Sequence, residues 1–404
     1  MGGGLSFIGN LFIKIKGKYG KKEEKKAKTS IEQLEAIISY INFAVHFCNL
    51  ELIKKWQLDW RGKSCLTWQI CVLVLEIYSI LVFLPETDGI IVVAFLLFSV
   101  TIITKFTTIW FDHDKFYSLV DFTFELFNKN TTGLRDRILF KTTEIIFRHF
   151  RLLLFAWSSA MISYSLFPVY DFAIRGNFAA VSPIIFPYID DTVLRGYLIS
   201  VALNIFWMAW SIGGNYGVSC MFLLTLDIYD GLVTLIESDL KEFDAICDLK
   251  SVDLNRQKAI FRNIMIEFMD IARLSTYIND RFGLITTMQM ASSYISLPIF
   301  LYGTMTADFM SGYGASIYYV IEIWTLAYMG QLMADTTERI TEVICNCNWH
   351  KYDIHIQKDL IILLTIMQRV QCVRIGNMYP LDLNAGVNMM KSIYSLLMFL
   401  IEAV

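Results

Sequence analysis

Hydrophobic positions along this chain gather into long, nearly unbroken runs. Residues 65–84 are interrupted by one charge, Glu76, and residues 89–111 by one, Lys105. Residues 152–170, 197–226 and 283–307 carry no charge, and residues 313–334 carry Glu322. A last run, 380–401, holds Asp382 and Lys391 and is the least apolar. Each reaches the roughly 20 residues that a helix needs to cross a bilayer. The pattern predicts an all-α membrane protein with seven transmembrane helices. The run at 197–226 corresponds to about 45 Å of helix, so it must tilt or protrude.

Charge orients the spans. The chain has 404 residues, 55% hydrophobic and 18% charged, with a net charge of −3. Lys14, Lys16, Lys18, Lys21, Lys22, Lys25, Lys26 and Lys28 crowd the N-terminal segment. Lys115, Lys129, Arg135, Arg137 and Lys141 follow the second run, and Arg256, Lys258, Arg262, Arg273 and Arg281 precede the fifth. Alternate loops carry Glu86, Asp88, Asp171, Asp190, Asp191 and Asp308. The positive-inside rule then puts the N terminus in the cytosol, and seven spans put the C terminus outside. That is the reverse of a G-protein-coupled receptor. Asp280-Arg281-Phe282 looks a little like the receptor D-R-Y triplet, but it precedes span five, and no N-P-x-x-Y occurs. Lack of an internal repeat removes support for an inverted-repeat transporter. No cleavable signal is evident. Met1-Gly2…Ser6 matches a myristoylation pattern ahead of the basic run, against the plainer reading of a flexible basic tail.

Between spans the helical periodicity continues. Ile228, Leu232, Leu235, Leu240 and Phe243 make one apolar face opposite Asp239 and Glu242. Phe261, Ile264, Phe268, Ile271, Ile278 and Phe282 make another. Such faces predict a cytosolic helical platform within and between subunits. The expected organisation is a basic N-terminal segment with an amphipathic helix (1–62), spans one to four (63–226), cytosolic extensions (227–282), spans five and six (283–346), a cytosolic helix (347–379) and the last span (380–404). Gly376 and Pro380 predict a short joint between helices at 358–375 and 380–401.

Candidate chemistry is sparse. No paired-carboxylate, nucleophile–base, phosphate-loop or zinc constellation is present, which argues against an enzyme and against a cofactor. Cys345, Cys347 and His350 make no familiar zinc spacing, and Cys48, Cys65, Cys71, Cys220, Cys247 and Cys372 read as packing thiols. Gly330 and Gly213-Gly214 suggest close helix packing. Intramembrane ionisable residues are functional candidates: Glu76 and Glu322 lie well inside spans one and six, while Lys105 lies in the inner half of span two and can snorkel. Asp382 suits the N-terminal dipole of the last helix. Asn384, Asn388, Lys391, Ser392 and Ser395, beside Met389, Ile393 and Phe399, read as a helix lining something wet, with Glu402 near the outer mouth attracting cations. The outer halves of four spans are rich in aromatics: Phe95 and Phe98; Trp157, Met161, Tyr164 and Ser165; Trp207, Met208 and Trp210; Tyr318 and Tyr319. Together they suggest an apolar pocket for a small hydrophobic ligand, although aromatics also fill bundle cores and interfacial belts.

Near its C-terminal end the chain resembles the insect odorant receptor family. Pro380-Leu381-Asp382-Leu383 opens the last segment and Tyr394-Ser395 arrives at the family's spacing, with Gly386 and Leu396 where aromatics are usual. Upstream, Gly330 and Trp349-His350-Lys351-Tyr352-Asp353 look like the family's Gly…W-Y-x-x-D stretch. The resemblance in motifs covers about residues 325–400. It implies a subunit of a tetrameric, odorant-gated, non-selective cation channel at the plasma membrane of olfactory neuron dendrites. The last helix would line the pore, with a hydrophobic gate at Phe399 and Ala403 near Glu402. Related gustatory receptors end in T-Y-(five apolar)-Q-F, where this chain has Ser395-Leu396 and Glu402-Ala403. Residues 244–258 leave no room for the co-receptor's long insertion. The resemblance therefore implies a ligand-tuning subunit that assembles with the co-receptor as a heterotetramer, in contact with lipid and a volatile odorant and with no nucleic acid.

Overall fold

The computed structural model describes residues 30–45, 60–84, 86–129, 133–176, 178, 181–248, 253–307, 309–368, 372–376 and 378–402. Chain order is α1 (Ser30–Val45), α2 (Trp60–Phe83), α3 (Thr87–Phe111), α4 (His113–Asn128), α5 (Leu134–Arg175), α6 (Leu194–Asp248), α7 (Leu254–Thr306), α8 (Ser311–Cys345), a 3₁₀ turn (Trp349–Lys351), α9 (Ile354–Met367), the short strands β1 (Arg374–Ile375) and β2 (Tyr379–Pro380), and α10 (Leu383–Glu402). The basic tail, Gly2, Cys48 and the gate candidate Ala403 lie outside the described residues.

Five of these helices (α2, α3, α5, α6 and α7) are long and apolar enough to cross a membrane by length and composition. The sequence's sixth and seventh runs lie in α8 and α10 and carry Glu322 and Lys391 near the middle of each run. With 55 and 53 residues, α6 and α7 extend about 80 Å, far beyond a hydrocarbon core of about 30 Å. Their apolar stripes must therefore find protein partners past the membrane, and they find each other. Phe222 stacks on Phe282 at 4.4 Å, and Phe243 packs on Phe261 at 5.4 Å and on Tyr352 at 5.0 Å. Every position of the two apolar faces read from the sequence is buried. Asp239 is not simply solvated on the opposite face. It is half-buried and meets Arg135 of α5 at 3.0 Å.

α6 is the central element, with 89% of its most apolar stretch buried against 22% for α2 at the rim. α3 packs on α2 and α7, α5 on α6 and α8, and α10 lies against α7 and α8.

The joint before the last helix differs from the sequence expectation. α9 ends at Met367, not 375, and the chain then forms an antiparallel pair with Arg374 opposite Pro380 and Ile375 opposite Tyr379. Val373 and Leu381, both fully buried, pin the two ends of this hairpin and are linked by Leu381 N–H donating to Val373 O at 2.9 Å. Gly376 does take a positive φ of 58°, but at the hairpin tip. Pro380 belongs to β2, and the start of α10 is fixed instead by Asp382, whose carboxylate accepts from Ala385 N–H at 2.6 Å.

Candidate ligand site and ion path

Helical spacing aims the predicted aromatics at one region. On α3, Phe95 and Phe98 stand one turn apart; on α5, Trp157, Met161 and Tyr164 repeat at four and three residues; Trp207 comes from α6 and Tyr318 and Tyr319 from α8. The structure joins Phe98 to Trp207 at 5.8 Å and to Tyr318 at 5.5 Å, Phe95 to Trp207 at 6.0 Å, and Trp157 to Tyr318 at 5.3 Å. Most of these contacts are edge-on or tilted, the arrangement that ring quadrupoles favour. Tyr164 and Met208 are buried beside them, whereas Met161 and Ser165 are only half-buried. Phe300 and Phe309 join the cluster, 4.9 Å and 6.2 Å from Phe95, and the sequence reading missed both. Phe300 had a signal, since it lies in the charge-free run 283–307, close to the same end as the other rings, whereas Phe309 falls between two runs.

Small residues and one loop close this region. At Gly314 a side chain would collide with the backbone of Tyr164, so glycine lets α8 approach α5. The segment between α5 and α6 folds inward, burying Val181, Ile184 and Phe186. Tyr164 Oη donates to Val181 O at 3.2 Å and Ile185 N–H to Ser79 Oγ at 2.8 Å.

Beside the rings lies a buried polar network. Lys105 and Glu322 pair at 3.6 Å, both almost wholly enclosed. Lys105 also donates to the Asn215 carbonyl oxygen. Asn215 Nδ2 donates to Tyr318 Oη at 2.6 Å and to Glu322 Oε1 at 2.8 Å, while Tyr318 Oη donates to Glu322 Oε1 at 3.1 Å. Ser293 Oγ reaches Glu322 Oε2 at 3.3 Å. Lys105 therefore does not snorkel: with a carboxylate and an amide oxygen at its ammonium, pairing inside the bundle replaces hydration. Trp207 Nε1 is held by Gln69 at 3.3 Å, and Gln69 donates to Ser211 at 3.0 Å. Other polar atoms here are buried without a protein partner: Trp157 Nε1, Ser165 Oγ, Ser316 Oγ and one oxygen of Glu76. Buried polar atoms ordinarily have partners, so this cluster can still bond a guest.

α10 presents two unlike faces. Ala385, Gly386 and Ile393 are its buried residues. Gly386 lets it sit close to α8, because a Cβ there would lie 3.0 Å from that of Ala327. Gly330 does the same for the hairpin, since any side chain would overlap the backbone of Leu381, whereas Gly213 has nothing within 4 Å and is not a packing contact. On the other face Asn384, Asn388, Lys391, Ser395, Phe399 and Glu402 are all exposed and recur every three or four residues. At about 100° per residue they form one narrow stripe.

A family model for the 7tm Odorant receptor matches residues 87–394. The fold is similar to the insect olfactory receptor OR5 from Machilis hrabei, with a TM-score of 0.72 at 11% identity over 92% of this chain and 99% of that one. The same receptor in complex with eugenol gives 0.71 at 11% identity, over 91% and 98%. At such identity the likeness speaks for the fold, while the family match spans well over half the chain. This multi-pass, all-α protein belongs to the 7tm odorant receptor family and is a receptor, not an enzyme.

Proposed function

We propose that the chain is the odorant-binding subunit of an odorant-gated, non-selective cation channel of the plasma membrane. In this reading seven helices cross the bilayer with the N terminus inside, and the chain assembles with the insect co-receptor as a heterotetramer. The ligand occupies the aromatic cluster of Phe95, Phe98, Trp157, Tyr164, Trp207, Met208, Tyr318 and Tyr319, with Met161 and Ser165 at its edge. A relative of the same fold was solved with eugenol, a small volatile aromatic, and a ring-lined, mostly apolar cluster suits a guest of that kind.

The observation that carries the channel reading is the division of α10. One face packs on α7 and α8, while the other exposes amides, an ammonium, a hydroxyl and a carboxylate in a single stripe. A polar stripe on a membrane helix is costly against lipid, and a central water-filled path between subunits removes that cost. Phe399, 65% exposed on the same stripe, suits a hydrophobic constriction, and Glu402 beyond it favours cations. Ligand opens the path only by binding the open state more tightly. The hairpin that starts α10 and the aromatic cluster both rest on α8, so α8 links them.

The test is whole-cell current in insensitive cells expressing the chain with and without an insect co-receptor, during a panel of volatiles and with G-protein signalling blocked. Odorant-evoked cation current that survives the block is expected when both chains are present. A response abolished by the block would overturn the channel reading.

A further inference from the structure

We propose that Glu76 anchors a ligand nitrogen as an ammonium–carboxylate pair, its carboxyl proton passing to the amine it binds, and that this ligand site is built for small volatile amines. The inference rests on the ligand-site reading above and names the chemical class of the guest. Glu76 lies in the middle of α2 and is completely enclosed, with 0% exposure. Its Oε1 accepts from Ser99 Oγ at 2.9 Å, while its Oε2 is buried with no partner. Among the described residues no lysine, arginine or histidine forms an ion pair with it. Lys105 and Glu322, the charges of the second and sixth runs, neutralise each other, and both oxygens of Glu322 are hydrogen-bonded. One carboxyl therefore remains without a counter-charge, at a place where an unpaired polar atom is costly.

Its surroundings belong to the ligand site. Ser99 follows Phe98 on α3, and the Glu76 carboxyl lies within electrostatic reach of the Tyr164 and Tyr319 hydroxyls. Ring faces hold positive charge through their quadrupoles, and an ammonium N–H to a carboxylate is among the stronger hydrogen bonds. The Ser99 hydroxyl, which already donates to Glu76, has lone pairs for a further N–H group. The indole N–H of Trp157 disfavours a cation. It packs on Tyr318, by the Lys105–Glu322 pair, and lies two helical turns (about 10 Å) from Tyr164. A molecule of that length can set its nitrogen at Glu76 and its apolar body along the rings.

The experiment compares 2-phenylethylamine with 2-phenylethanol, which share shape and ring, on the purified full-length chain in neutral-lipid nanodiscs. Affinity is followed by thermal stabilisation across a concentration series. The amine is expected to bind the wild type at least about tenfold tighter than the alcohol, the scale of a charged hydrogen bond. Glu76→Gln should remove that preference and leave the alcohol within about twofold, whereas Glu76→Asp should retain it. Equal affinities in the wild type, or an amine preference surviving in Glu76→Gln, would overturn the proposal. The wild-type comparison stands even where a variant fails to fold. Tight amine binding without current in cells would overturn the channel reading and leave this one intact. Current evoked by alcohols but not amines would do the opposite.

Discussion

Lys105 illustrates how much a buried charge depends on its partners. The ammonium, 1% exposed, is held by Glu322 and Asn215, and Asn215 in turn bonds Tyr318 of the aromatic cluster. Lys105→Met should cost about 3–5 kcal/mol, because Glu322 is left enclosed without a counter-charge. Adding Glu322→Leu should restore most of the loss. Unfolding midpoints of the two single variants and the double variant check this, and additive losses would dismiss the pair as a unit. Both charges were legible in the sequence, but not their pairing, since helical periodicity says which face a residue is on and not which helix it meets. The glycines separate in the same way. Gly330→Ala forces a methyl into the backbone of Leu381 and should destabilise by about 1–3 kcal/mol. Gly213→Ala meets open space and should be neutral or gain up to about 1 kcal/mol from helix propensity. The sequence offered both as packing glycines, and only neighbours in space tell them apart.

At the scale of elements, α10 makes the sharper claim. Its exposed stripe and its packed face are nearly opposite, so a cysteine scan should divide them. With a charged thiol reagent applied during odorant exposure, Asn388→Cys, Lys391→Cys and Ser395→Cys should change the current several-fold faster than Ile393→Cys, which is 3% exposed. Uniform reactivity around the helix would remove it from the ion path. Cys71 and Cys345 are exposed in the native chain and must be replaced first. On the same stripe, Glu402→Lys should lower the preference for cations, read as a shift in reversal potential in ion-substituted baths. The amphipathic character of α10 was legible because its polar residues recur at helical spacing. The hairpin ahead of it was not. Leu360–Met367 is helical by pattern, but nothing local says that Val373 and Leu381 will bury and pair two residues on each side of Gly376. That turn depends on α8 and α7 beneath it, through Gly330 and through Thr287, whose Oγ1 accepts from Gly376 N–H at 2.9 Å.

For the whole molecule, the long arms of α6 and α7 put a charged cluster where four helices meet past the membrane. Arg135 of α5 lies 3.0 Å from Asp239 of α6 and 2.7 Å from Glu267 of α7. Lys129, just after α4, reaches Asp270 of α7 at 4.0 Å, and Glu242 adds a further negative charge beside Asp239. The apolar stripes that bring these helices together were readable from the sequence. The charge cluster was not, since its members come from separate segments. Burial pushes the Asp239 carboxyl up from 3.8 to about 6; Arg135 opposes the rise and Glu267 reinforces it. A carboxyl raised in the folded state takes up its proton there before the unfolded chain does as pH falls. Its contribution to stability is therefore complete below about 3.8 and is lost as pH rises through about 6. Between neutrality and mild acid the platform should become more stable, not less. Thermal midpoints of the purified chain should rise as pH is lowered from about 7.5 to 5, a window centred on the raised carboxyl. Asp239→Asn should flatten that rise while Arg135 keeps its bond to Glu267, and its midpoint at neutral pH should approach that of the acidified wild type. A wild-type midpoint that falls over the same window would mean that Arg135 outweighs burial and that Asp239 stays ionised in the folded platform.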